Sequence, residues 1–141
     1  MKKLFTILFI GLISLSMNAQ DKVAKIEFKD TTIDYGTINK GDNGVRTFEF
    51  TNTGDAPLII TKVSSSCGCT VPKKPEKPIM PGDSGEIEVK YDTQRVMPIR
   101  KTITVLSNAE TPTVSLKIKG EVIDPSKTSV LEKKGKSVME Q

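Results

Sequence analysis

The sequence predicts an all-β domain, two sheets of about seven short antiparallel strands packed face to face. Three observations predict it. Apolar residues recur at every second position, turn-forming residues punctuate the chain about every eight to twelve residues, and no stretch sustains a helical repeat.

The chain opens with Lys2-Lys3, an apolar run from Leu4 to Leu15, and Ala19-Gln20, the order of parts in a secretory signal peptide, which sets the leader at residues 1–19. The run is shorter than the ~20 residues needed to cross a bilayer and no second apolar span follows, so no stable membrane span is expected after cleavage. No cysteine stands at the cleavage point to carry a lipid. The mature chain is therefore expected to be exported, to the periplasm or beyond the cell.

From there the alternation sets the strands: Ile26/Phe28, Phe48/Phe50, Leu58/Ile60, Ile87/Val89/Tyr91, Ile103/Val105 and Val114/Leu116/Ile118. Ile33, Tyr35 and Ile38 complete the expected core. Between them stand turn signals: Asn39 to Gly44, Asn52 to Asp55, Pro81-Gly82-Asp83, and Ser107 to Pro112. This pattern predicts an immunoglobulin-like β-sandwich over residues 20–124, a single domain long enough to bury roughly two-thirds of its unfolded surface. Antibody domains carry a tryptophan packed on a disulfide between distant cysteines. This chain has no tryptophan, and its two cysteines are too close together to join two sheets, so the expected sandwich is of another lineage. Residues 125–141 form a polar, lysine-rich tail, expected to be flexible.

Charge narrows the partners. Loss of Lys2 and Lys3 with the leader takes the 21 basic residues to 19, against 17 acidic ones. Lys127, Lys133, Lys134 and Lys136 against Glu132 and Glu140 put that remaining excess in the tail, and the body balances at 15 against 15. Phosphate-backbone recognition needs clustered cations, and single-strand binding needs aromatic platforms. Neither is present, so no nucleic-acid partner is expected.

Several blocks carry a family resemblance: Asp34-Tyr35-Gly36-Thr37-Ile38, Phe48-Glu49-Phe50-Thr51-Asn52-Thr53-Gly54, Pro57 to Ile60, Ser66-Cys67-Gly68-Cys69-Thr70, Ile79 to Gly85, and Tyr91-Asp92-Thr93. With them the chain resembles DUF1573, a bacterial family of domains of unknown function. That family is similar to the immunoglobulin-like domains of centrosomal and ciliary proteins (ASH domains), and more distantly to the major sperm protein and pilus-chaperone folds. The resemblance implies a sandwich used for interaction and supplies no reaction.

Unusual chemistry is confined to Cys67-Gly68-Cys69. In an extended strand, residues i and i+2 lie about 6.5 to 7 Å apart, at or beyond the limit for a disulfide, so a bond requires a bend. Gly68, free to take backbone angles closed to other residues, is the expected place for that bend. The ring would close about three residues, for which chain entropy predicts only ~1.6 kcal/mol before strain is subtracted. Three readings follow. The cysteines pack, or pair, with no role beyond structure; they undergo thiol redox exchange; or, reduced, they bind Cu(I), which suits two thiolates. No metal or other cofactor is otherwise expected, and with no histidine in the chain a zinc site lacks half its ligands.

The same absence removes Ser-His-Asp and Cys-His catalysis. Glu86 and Glu88 alternate with Ile87 and Val89, which makes them a solvated outer face, and Asp83 and Asp92 stand at turns, where aspartate caps backbone N–H groups. No catalytic residue is predicted. The stretch Pro72-Lys73-Lys74-Pro75-Glu76-Lys77-Pro78 reads as a stiff exposed loop. Its Lys73, Lys74 and Lys77 are a candidate interaction strip for an acidic glycan, headgroup or protein, against a plainer reading in which the loop only blunts a sheet edge. The expected function is a non-enzymatic interaction module for a protein or cell-envelope partner, with the cysteine-bearing strand end and this loop as the contact surface and addition of a partner's strand to an exposed sheet edge as one mode of contact. The alternative is thiol redox or Cu(I) binding at Cys67 and Cys69.

Overall fold

The computed structural model describes residues 20–127. The leader expected over 1–19 and the tail past Lys127 lie outside the described residues. Eight strands are formed among the described residues: β1 (Ile26–Phe28), β2 (Thr32–Asn39), β3 (Val45–Asn52), β4 (Ile60–Ser65), β5 (Thr70–Lys73), β6 (Ser84–Tyr91), β7 (Pro98–Ser107) and β8 (Thr113–Ile123). They build two four-stranded sheets, ordered β1-β3-β6-β5 and β2-β8-β7-β4.

The immunoglobulin-like sandwich expected from the alternation is the fold observed. Two details go beyond it. There is one strand more than the alternation suggested, because β5 is a strand of its own. One pairing is parallel, β2 against β8, while the others are antiparallel. The N-terminal segment causes this by crossing from one sheet to the other between Phe28 and Thr32. Gly36 makes β2 fit. At the register shift between Asp34 and Thr37 it takes a φ of 64° and its N–H is capped by Asp34 Oδ1 at 2.8 Å, a bulge conformation that side-chain-bearing residues resist.

The inner layer follows the alternation. Phe48, Phe50, Leu58, Ile60, Ile87, Val89, Tyr91, Ile103, Val105, Leu116, Ile118 and Tyr35 are buried, with Ile26, Phe28, Ile33, Ile38 and Val114 packed half-buried at the margins. Burial of this apolar set supplies the main drive for the two sheets to close. Ile99 and Val122 join the core without having been anticipated.

The two ends of the sandwich are tied differently. At one end, the β2–β3 and β6–β7 connections clasp each other: Gly41 N–H donates to Thr93 O at 3.3 Å and Thr93 Oγ1 to Asp42 O at 2.7 Å. At the other end sits buried Asn52. Its Nδ2 donates to Ala56 O at 2.8 Å and Ile79 O at 2.9 Å, and its Oδ1 accepts from Gly54 N at 3.0 Å and Lys25 N at 3.3 Å. One side chain so satisfies three backbone groups that the turns there would otherwise leave unpaired, and adds a second donor to the Ile79 carbonyl, which also accepts from Leu58 N–H.

Candidate functional site

β4 is an edge strand of one sheet and β5 an edge strand of the other, so residues 66–69 are the crossover between layers. Pairing with β7 continues past the end of β4, with Ser66 N–H donating to Thr102 O at 3.0 Å and Thr102 N–H donating to Ser66 Oγ at 3.2 Å. The chain then turns. Thr70 N–H donates back to Cys67 O at 3.3 Å, and Asp92 N–H donates to Cys69 O at 2.8 Å, docking the turn on β6.

Within this turn Cys67 and Cys69 are joined by a disulfide, with Cα atoms 5.4 Å apart. The bend needed to bridge i and i+2 is thus present. Its cause differs from the one expected: Gly68 is not among the positive-φ glycines, and a Cβ built on it meets nothing within 4 Å. The hydrogen bonds of the turn, rather than glycine's freedom, bring the sulfurs together. Ser65 Oγ reinforces it, accepting from Cys67 N–H at 3.2 Å and donating to Cys67 O at 2.8 Å.

The two sulfurs are not equivalent. Cys69 is 5% exposed and belongs to the core, with Thr70 Oγ1 at 3.8 Å from its Sγ, whereas Cys67 is half-buried. The Cys69 N–H points at Cys67 Sγ, 3.2 Å away.

Pro72 and Lys73, expected in the loop, belong to β5, paired with Val89 and Glu88. The pairing tolerates a proline because of its phase. Tyr91 N–H bonds to Gly44 O on the β3 side, so Lys90 faces β5, its partner Val71 faces back, and the Pro72 nitrogen points away from the sheet where no donor is needed. β5 carries the chain about 10 Å away from the cysteines, and the connection continues to Ile79, which pairs with Leu58 at the Asn52 end. Lys73, Lys74 and Lys77 are exposed. β5 stands between the two parts of the contact surface expected from adjacency in sequence.

Glu86 and Glu88 stand exposed on the outer face of β6, and Asp92 accepts from Gln94 N–H at 3.1 Å and pairs with Arg95 at 3.5 Å. Among the described residues no group of three or more His, Cys, Asp or Glu converges as for a metal ion. No helix there is long and apolar enough to cross a membrane.

Sequence reasoning missed the open edge of β4, Ile60 to Ser65, which pairs with β7 on one side only. Edge position follows from long-range pairing, and no local signal carries it.

Two four-stranded sheets in this order, joined by a crossover from β4 to β5, define an immunoglobulin-like β-sandwich. The chain belongs to the family described as protein of unknown function (DUF1573), whose model matches residues 26–122. Among solved structures it is similar to a protein of unknown function from Porphyromonas gingivalis W83, at 23% identity and a TM-score of 0.63, over 70% of this chain and 46% of that one. The chain thus spans less than half of that protein. It is similar also to the ASH/PapD-like domain 7 of human CEP192, at 12% identity and a TM-score of 0.60, over 79% of this chain and 97% of that one. The Pseudomonas aeruginosa CupB2 chaperone matches at 10% identity and a TM-score of 0.51, over 68% of this chain and 55% of that one. At these identities the likeness establishes the fold. No match was found among curated proteins, and no catalytic family is indicated.

Proposed function

We propose that this protein is an exported, non-enzymatic interaction module that binds a protein partner by adding an extended segment of it to the open edge of β4. The supporting observation is a comparison of the four sheet edges. β1 is three residues long, β5 is blunted by Pro72, and β2 is broken by its bulge at Gly36. β4 offers six residues, with a register shift only near its start between Ile60 and Lys62. Ser66 N–H faces β7, so by alternation Ser64 does too, and the N–H and C=O groups of Val63 and Ser65 face outward. The solved relatives include a domain described as a chaperone, which agrees with an interaction role.

Lys73, Lys74 and Lys77 would add a basic contact, suited to acidic groups of the cell envelope. A Cu(I) role for Cys67 and Cys69 would first require their disulfide to be opened, since only thiolates bind the metal.

The test uses the full mature chain carrying a photo-crosslinker at Lys62, irradiated in the intact envelope. A discrete crosslinked protein is expected, lost in Val63→Pro, which removes one outward N–H from an edge strand that tolerates proline. Equal crosslinking with the probe moved to Val71, or no loss in Val63→Pro, would contradict the proposal.

A further inference from the structure

We infer that the Cys67–Cys69 disulfide is a thiol–disulfide exchange site of fixed polarity, in which Cys67 forms the mixed disulfide with a partner thiol and Cys69 is the resolving sulfur. Exchange needs a sulfur that an incoming thiolate can reach in line. Cys69 is 5% exposed and walled by the core, while Cys67 is half-buried at the surface of the crossover. Access therefore selects Cys67. The Cys69 N–H, 3.2 Å from Cys67 Sγ, is a donor already in place for a thiolate there, and Thr70 Oγ1, 3.8 Å from Cys69 Sγ, is the hydroxyl beside the second sulfur.

The frame does not depend on the bond it holds. The Ser65 hydroxyl contacts to Cys67, the Thr70 N–H to Cys67 O bond, and the Asp92 N–H to Cys69 O bond use backbone and hydroxyl groups alone. Opening the disulfide leaves the two thiols held in one turn, so that it recloses without searching.

In the reducing direction a partner thiolate attacks Cys67 Sγ. A Cys67–partner S–S bond forms as the Cys67–Cys69 bond breaks, and the electron pair leaves on Cys69 Sγ, which takes a proton from water. A second thiolate of the partner then attacks the partner sulfur of the mixed disulfide and releases Cys67 as thiolate. Two electrons have passed, oxidising a partner dithiol to a disulfide and reducing Cys67 and Cys69 to thiols. By microscopic reversibility the reduced protein attacks a partner disulfide through Cys67, and Cys69 resolves the intermediate. No histidine base is needed, since the attacking species is a thiolate.

The experiment compares Cys69→Ser, which leaves Cys67, with Cys67→Ser, which leaves Cys69, in the mature chain with glutathione disulfide as probe and intact mass as readout. The Cys67 protein is expected to form the mixed disulfide at least about ten-fold faster in native buffer, and the two rates should converge in urea. Limiting iodoacetamide on reduced wild-type protein, with the modified residue mapped by fragmentation, gives the same comparison without a substitution; Cys67 should be labelled first. Equal native rates, or faster modification of Cys69 in either assay, would overturn the polarity. A wild-type disulfide that survives native incubation with excess dithiothreitol, or reduced wild-type protein that glutathione disulfide fails to reoxidise, would overturn the exchange site itself.

Discussion

Tyr35 and Tyr91 meet edge to face across the core, ring centroids 6.3 Å apart, yet only one of their hydroxyls is satisfied. Tyr35 Oη donates to Gly44 O at 2.8 Å, while the buried Tyr91 hydroxyl has no hydrogen-bond partner. An orphaned buried hydroxyl costs free energy, and its removal does not. Tyr35→Phe is therefore expected to lower stability by about 1 to 2 kcal/mol, and Tyr91→Phe to leave it unchanged or raise it. Urea midpoints for the two variants, measured side by side, check the contrast.

The same pair makes the fold alkali-sensitive. Burial pushes the Tyr35 phenol up to about 12 from 10.0, against the opposing pull of the Arg46 guanidinium, whose carbon lies 4.3 Å from the ring centroid. Burial raises Tyr91 too. A group whose folded pKa is raised contributes stability that is complete below the unfolded value and lost as pH climbs toward the folded one. The unfolding free energy should accordingly fall between about pH 10 and 12, and fall less steeply in Tyr35→Phe. Urea titrations at pH 9 and 11 compare the two.

Asn52 fastens the end of the sandwich away from the cysteines. Asn52→Ala leaves the Ala56 carbonyl and the Gly54 and Lys25 N–H groups without their partner, and takes one of two donors from the Ile79 carbonyl, which keeps Leu58 N–H. A loss of about 2 to 4 kcal/mol is expected, read from the urea midpoint.

Two glycines should behave oppositely on substitution by alanine. A Cβ at Gly85 meets Phe50 Cζ at 2.6 Å and Ile79 Cδ1 at 2.9 Å inside the core, so Gly85→Ala should cost about 1 to 3 kcal/mol. Gly68→Ala, with open space and no positive φ, should shift stability by less than about 0.5 kcal/mol and leave the disulfide intact. Thermal or urea unfolding with intact mass reads both.

Much of this was written in the period of the sequence. Ile87, Val89 and Tyr91 point inward because they alternate with Glu86, Glu88 and Lys90, and such pairs set both the sheets and the core. Ile99 escaped because Pro98 and the Arg100-Lys101 pair around it break the alternation, and Val122 because Gly120 interrupts the apolar phase of β8. β5 escaped because two prolines within six residues, Pro72 and Pro75, read as loop, and only the pairing phase reveals that the Pro72 nitrogen faces away from β6. Spacing showed that a Cys67–Cys69 bond would need a turn, but neither that the bond forms nor the cause of the turn, since the Ser65, Thr70 and Asp92 contacts arise from tertiary docking. That β2 runs parallel to β8 and that β4 lies at an edge are long-range facts, absent from any local pattern.

The central claim, that β4 presents an unpaired edge for a partner strand, is tested most directly by residue-resolved amide hydrogen exchange. In the free mature protein the Val63 and Ser65 amides should exchange rapidly while Ser64 and Ser66 are protected through β7, and all four should become protected in the complex with the crosslinked partner. Protection of Val63 and Ser65 in the free monomer, or their continued rapid exchange in the complex, would contradict it.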